Sequence, residues 1–311
     1  MDKDSKKILV KVLSDVVCLA VVGLPINYFF LFVEPYHRGF FCGDESISYP
    51  FHSSTVPSFM LYTVGLGLPI ITMLVTEFLK YKHSNPKKPN YVLFGWQIQP
   101  WLWNSYCAIG YFGFGAACSQ LTTDIAKYSI GRLRPHFFDV CQPDIDCSLA
   151  TNRNRYITDV NCTSGKQALI HAARLSFPSG HSSFSFYTMV YLVIYIQKNY
   201  TARKVTLLKH VFQFGCLMLA WSTALSRVSN YKHHWSDVLV GSLQGALVAV
   251  LIVIYVARMK NIEGSVKDLT SGEPVLDNFL TEATPLFCEQ SSSSVIGRKN
   301  TSTHIVKIGT D

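Results

Sequence analysis

Three short polar clusters carry the residue types that phosphate chemistry needs. The first is Lys127-Tyr-Ser-Ile-Gly-Arg-Leu-Arg134-Pro135, in which two cations stand seven residues apart. Seven residues is close to two helical turns, so a continuing helix would put both on one face. Pro135 disfavours helical geometry at Arg134, which predicts a helix end there. Converging cations suit a dianionic phosphate; interfacial anchors reaching toward lipid head groups are the plainer reading of the same pair. The second cluster is Pro178-Ser179-Gly180-His181, just before an apolar run. Free N–H groups at a helix start attract anions, Gly180 allows close backbone approach, and the Ser179 hydroxyl either caps the helix or touches a ligand. His181 beside them is able to move a proton near neutral pH.

The third cluster is Ser226-Arg227, followed by His233-His234-Trp235-Ser236-Asp237. Arg227 offers a fork-shaped phosphate ligand. His233 and Asp237 are four apart, a spacing that pairs side chains on a helix. A carboxylate on one imidazole nitrogen fixes the tautomer and leaves the other nitrogen as a nucleophile. A metal site is the weaker alternative, because no carboxylate-rich cluster accompanies these histidines.

The elements that must position these clusters are membrane helices. Of 311 residues, 49% are hydrophobic and 15% charged, with mean hydropathy +0.20, whereas soluble domains average roughly 25% charged. A span needs about 20 mainly apolar residues. Six segments qualify, near 8–33, 57–79, 103–126, 182–197, 206–225 and 236–257. The expected architecture is therefore all-α, a single bundle of six transmembrane helices over 8–258. A short tail, 1–7, precedes it, and a polar tail, 259–311, follows. The third span carries Ser119, Gln120, Thr122, Thr123 and Asp124, which must face a protein or water-lined interior.

Loop charge gives the orientation. Lys3, Lys6 and Lys7 mark the amino terminus as cytoplasmic, as do Lys80, Lys82, Lys87 and Lys88 for the second loop. Lys198, Arg203 and Lys204 mark the fourth loop, and Arg258 and Lys260 follow the last span. All three polar clusters then fall at one outer surface. The third loop, 131–178, breaks the charge rule with Arg132, Arg134, Arg153, Arg155, Lys166 and Arg174, so its cations need another task. Asn161-Cys162-Thr163 in that loop is a glycosylation sequon and supports an outer placement. Sequons at Asn199 and Asn300 fall on the cytoplasmic side. The net charge of +8 reflects these topology signals, and no nucleic-acid partner is expected.

Cys42, Cys141, Cys147 and Cys162 lie in outer loops where disulfides form, and three pairings stay open. Cys18, Cys107, Cys118 and Cys216 fall within apolar runs, the usual place of a small buried hydrophobe.

The set K-x6-R-P, P-S-G-H and S-R-x5-H-x3-D resembles the type 2 phosphatidic acid phosphatase superfamily. The segment Pro35-Tyr-His-Arg-Gly-Phe-Phe-Cys42-Gly-Asp44-Glu45-Ser46-Ile47 is similar to the Wunen-like animal lipid phosphate phosphatases, and the likeness covers roughly residues 8–258. It implies that Lys127, Arg134 and Arg227 hold phosphate with help from Ser179 and Gly180. It further implies His233 as nucleophile, Asp237 as its partner and His181 as general acid. Expected with it are membrane lipid phosphates as substrates, no cofactor and no metal, a multi-pass plasma-membrane protein and a homo-oligomer. A sugar phosphatase, a lipid-binding protein without catalysis and a transporter are the competing readings.

Overall fold

The computed structural model describes residues 3–83, 91–147, 149, 151–152, 155–200 and 206–257. The polar tail 259–311 with Asn300, and Lys87, Lys88, Arg153, Arg203, Lys204, Arg258 and Lys260, lie outside the described residues.

Six long helices form: α1 (Lys3–Phe32), α2 (Ser58–His83), α3 (Pro100–Ile130), α6 (Gly180–Asn199), α7 (Thr206–Ser229) and α8 (Trp235–Leu251), the last extended by a π-helical turn, Ile252–Val256. Between them lie the short helices α4 (Phe137–Cys141) and α5 (Gln167–Ala173). Helix α1 begins inside the expected tail 1–7, because its lysines and Asp4 are compatible with helix. By length and composition four helices can cross a membrane: Ser5–Phe32, Ser58–His83, Leu207–Ser229 and Trp235–Val256. The six spans expected from sequence thus reduce to four clear ones among the described residues. Helices α3 and α6 bury Ser119, Thr123, Ser182, Ser183, Ser185 and Thr188 against protein, whereas Thr122, expected to face the interior, is exposed.

Helix α6 is the hub, packed against α2, α3, α7 and α8. Tyr187, Tyr191, Tyr195 and Leu192 of α6 are fully buried with Phe112 of α3 and Met73 of α2. Hydrogen bonds join the inner helices. Ser119 and Ser183 hydroxyls are 3.0 Å apart, Thr123 Oγ1 donates to Ser183 Oγ at 3.1 Å, and Gln244 Nε2 donates to the Ser119 carbonyl at 3.0 Å. In an apolar surrounding each such bond contributes about 0.6 kcal/mol and, more importantly, fixes register. Helices α6 and α8 approach closely at Gly241 and Gly245, where a Cβ would run into the backbone of Ser179 and Ser183. Cys216 is buried as a free thiol, as expected; Cys107 is buried too but is disulfide-bonded, so it is not the simple small hydrophobe expected, and Cys18 is exposed on α1.

At one end of the bundle the first and third loops make a cap. Strands β1 (Phe40–Phe41) and β4 (Tyr156–Ile157) pair antiparallel, and Cys42 bonds to Cys147 while Cys141 bonds to Cys162. This resolves the three open pairings. Phe40, Ile47, Leu133, Phe137 and Ile157 form a small core under the cap. Exposed Asn161 sits on it, its side-chain amide donating to Asp144 at 3.2 Å. Asn199 lies at the opposite end, bonded to Lys80. There a hairpin of β2 (Tyr91–Leu93) and β3 (Trp96–Ile98) packs on α1.

Candidate active site

The three clusters meet beneath the cap. Helix α3 stops at Ile130, where Gly131 adopts a left-handed conformation (φ 57°) and its N–H bonds to the Lys127 carbonyl at 3.1 Å. The helix therefore does not continue to Arg134, and the shared face expected from seven-residue spacing is not how the two cations meet. The chain turns back, and the Arg134 N–H is anchored on the Ala173 carbonyl at 2.8 Å. Lys127 stays on the last turn of α3, its ammonium packed against Gly180, where a Cβ would come within 3.0 Å of it. Gly180 thus makes room for a cation at the start of α6.

Arg134, His136, His181, Arg227, Lys232 and His233 line a single cavity of about 320 Å³, at the low end of the roughly 300–1,000 Å³ seen for small-molecule sites. Phe51, Ser54 and Ser58 close its other side, from the strap that leads into α2. The strap is tied down at several points. Tyr49 N–H donates to the Pro135 carbonyl at 2.9 Å, Phe51 N–H to Asp139 at 2.8 Å, and Arg227 Nη1 to Ser54 Oγ at 3.4 Å. Arg227 is 1% exposed and Arg134 Nε has no partner in the structure. A buried guanidinium N–H without a partner is costly unless a ligand supplies one.

His233 does not sit on α8, which begins at Trp235; it occupies the turn before it. Its pairing with Asp237 is accordingly not the helical i,i+4 contact expected from sequence. Nδ1 of His233 lies 2.6 Å from the Ser176 carbonyl and 3.8 Å from Asp237 Oδ2. A carbonyl only accepts, so Nδ1 carries the proton and Nε2 keeps its lone pair. Burial pushes the His233 pKa down to about 3, opposed by Asp237 and reinforced by Arg134 and Lys127. The imidazole is neutral at physiological pH.

Asp237, fully buried, organises this corner rather than lining the cavity. Its Oδ2 accepts from the Ser176 hydroxyl at 2.6 Å and from the His234 N–H at 3.0 Å, while Arg132 pairs with Oδ1. Helix α8 is thus capped by its own Asp237 acting back on His234. Ser179 likewise turns inward. Its hydroxyl caps α6, accepting from Ser182 N–H at 3.4 Å and Ser182 Oγ at 2.9 Å, and its N–H donates to the Asp237 carbonyl at 3.0 Å. Of the two roles open to Ser179, the structure shows the cap.

Sequence reading passed over Arg132, Ser176, His136 and Lys232. Arg132 was visible only as an unexplained loop cation, and Ser176 carried no local signal. Burial lowers His136 to about 4 and Lys232 to about 8, and burial together with Arg227 lowers Arg134 to about 10. Burial is the main cause of all three shifts, and neighbouring cations add to it. Among the described residues no group of three or more His, Cys, Asp or Glu side chains could hold a metal ion.

Residues 108–260, which contain all three clusters, match the PAP2 superfamily. A Drosophila melanogaster protein named as a candidate phosphatidate phosphatase is 49% identical over 82% of this chain and 70% of its own length. Phospholipid phosphatase 1 of Rattus norvegicus is 43% identical, covering 79% of this chain and 84% of the relative. Phospholipid phosphatase 2 of Homo sapiens is 42% identical, over 79% and 82% respectively. No solved structure matches the chain significantly. Likeness of this extent, running through the whole of the cavity-forming segment, shows that the chain belongs to the PAP2 superfamily.

Proposed function

We propose that this protein is a lipid phosphate phosphatase that works through a phosphohistidine and takes its cationic charge from Lys and Arg side chains. The observation that carries the reading is the fixed tautomer of His233. Its Nδ1 proton is committed to the Ser176 carbonyl, and its neutral ring stands in a wall of cations. The names of the relatives, phospholipid and phosphatidate phosphatases, support the substrate class.

In this scheme the phosphate head enters the cavity while the acyl or alkyl chains stay in the bilayer. The Nε2 lone pair attacks phosphorus and the P–O ester bond breaks. His181 gives its proton to the departing alkoxide. Arg134, Arg227 and Lys127 stabilise charge on the equatorial oxygens, and the N-terminus of α6 with Gly180 adds its dipole. Water, deprotonated by His181, then attacks phosphorus; the N–P bond breaks and inorganic phosphate leaves.

The same reading places the cavity on the outer or lumenal face of a six-span membrane domain, with both termini cytoplasmic. Two disulfides and exposed Asn161 share the cavity's end of the bundle, in keeping with an oxidising, glycosylating compartment. Plasma-membrane residence, a glycan at Asn161 and homo-oligomerisation belong to the proposal.

The test is phosphate release in detergent micelles from phosphatidate, lysophosphatidate, sphingosine 1-phosphate and ceramide 1-phosphate. His233→Ala should lower turnover by at least about 10³-fold, the scale set by loss of a nucleophile, and EDTA should have little effect. Strong inhibition by chelator with recovery on Mg²⁺ would sink the scheme.

A further inference from the structure

The cavity holds one more cation than the reaction above uses. Lys232 directly precedes His233, is only 6% exposed and lines the cavity beside Arg134 and Arg227. Both the Lys232 and His233 N–H groups donate to the Arg227 carbonyl, at 3.0 and 3.2 Å. The chain is thereby wound around Arg227, which sets the ammonium and the imidazole on one wall. The Lys232 ammonium lies 3.5 Å from the centroid of the Phe51 ring.

That partner is chemically telling. A buried ammonium needs compensation, and the two carboxylates of this region are engaged elsewhere. Asp139 accepts from Phe51 N–H, and Asp237 is taken by Ser176, His234 and Arg132. A carboxylate would cancel the charge and occupy the ammonium's donors. An aromatic face attracts the cation through its quadrupole, yet leaves the charge uncancelled and the N–H donors available. Phe51 is itself fixed from two sides, by Asp139 on its N–H and by an edge-on contact with His136 at 5.2 Å. The strap that carries it lies outside the family-matched residues 108–260.

We propose that Lys232 is a further phosphate ligand of this site, kept available by the Phe51 ring, which makes the strap a part of substrate binding. The inference rests on the phosphatase reading above. When phosphate enters, the ammonium donates to one of its oxygens without first having to leave an anionic partner.

The experiment compares wild type, His233→Ala, Lys232→Met, Lys232→Arg, Phe51→Leu and the Lys232→Met/Phe51→Leu double variant, purified in detergent. It reads kcat and KM for a micellar lipid phosphate, and inhibition by vanadate. Lys232→Met should raise KM and the vanadate inhibition constant about tenfold, the weight of one charge-assisted hydrogen bond. Its kcat should fall less than about threefold, since the interaction is made in the ground state too. Lys232→Arg should restore vanadate inhibition and guards against a folding artefact in the Met variant. Phe51→Leu should weaken vanadate about threefold in wild type and add nothing to Lys232→Met, the mark of two residues acting as one unit. An unchanged vanadate constant in Lys232→Met, with His233→Ala inactive, would overturn the proposal and leave the phosphatase reading intact. Full additivity of Phe51→Leu with Lys232→Met would overturn the role of the ring. Absence of turnover in wild type would overturn the phosphatase reading itself, and turnover surviving in His233→Ala would overturn its phosphohistidine step.

Discussion

Two ionic clusters sit at opposite ends of α6, and they are built on opposite principles. At the end away from the cap, buried Glu77 accepts from Lys80 at 2.9 Å and from the Tyr195 hydroxyl at 2.9 Å, while Lys80 also reaches Asn199. Charge there is matched and donors are spoken for. Beneath the cap, Arg134, Arg227 and Lys232 line a cavity, and Asp237 is withdrawn behind His233 to neutral and basic partners of its own. Matched charge holds helices together. Unmatched charge of one sign, buried at a cost of desolvation, is retained where a ligand of the other sign completes it.

The largest effect should come from removing one of the unmatched cations. Arg134→Gln should cut kcat/KM by about 10²–10³-fold, as loss of one preorganised donor does, with melting temperature unchanged or raised because a buried uncompensated charge is gone. A lower melting temperature with full activity would place Arg134 with the structural cluster instead. Asp237→Asn is a finer probe. In a serine-protease triad the equivalent change costs about 10⁴-fold because the tautomer is lost. Here the Ser176 carbonyl holds the tautomer and the carboxylate is 3.8 Å away, so a loss of only about 10–100-fold in kcat is expected. A loss on the triad scale would mean that Asp237, and not Ser176, orients the ring.

A pH profile sharpens the contrast further. Burial, Arg134 and Arg227 lower Lys232 to about 8, so the free enzyme loses this cation as pH rises through about 8. The plot of kcat/KM, which reports the free enzyme, should fall above that pH in wild type and fall less steeply in Lys232→Arg, where Lys127, also lowered by burial, is the cation left to titrate. An identical alkaline limb in both would assign the titration elsewhere. The smallest effect on turnover is expected at the far end. Glu77→Gln should leave kcat within about twofold, while stability falls by roughly 1–2 kcal/mol, because breaking a buried pair is discounted when Lys80 is partly exposed. Thermal unfolding in detergent measures the second, and phosphate release the first.

What the sequence made legible follows the same division between local and distant. Helical runs, the charges of the three clusters and their common end of the bundle were readable, because each depends on spacing within one segment. Of the six expected spans four are clear by length and composition, since α3 and α6 hide polar residues such as Ser119, Thr123 and Ser183 against one another, and hydropathy cannot see which face is inside. His233 does lie within 3.8 Å of Asp237, as their spacing suggested, but it does so from the turn before α8 and has a second, shorter contact. That shorter contact, the Ser176 carbonyl, lies 57 residues away and has no side-chain signature. The pairing of Cys42 with Cys147 depends on two loops meeting through β1 and β4, and Phe51 beside Lys232 is likewise a meeting of distant loops. Neither Arg132 nor Lys232 differs in sequence from an ordinary surface cation; Lys232 is set apart by burial and Arg132 by its ion pair with Asp237.

The seam between α6 and α8 carries a mechanical consequence. Ser179 N–H grips the Asp237 carbonyl, and Gly241 and Gly245 let the two backbones touch. His181 and His233 are thereby mounted on one stiff frame, while α1 stands at the rim with little of its surface covered. As the surrounding bilayer thins or thickens, the rim helices are free to tilt and absorb the mismatch. In the proposed mechanism the distance between the two imidazoles is insulated from that motion, so turnover is expected to vary little between bilayers of different thickness.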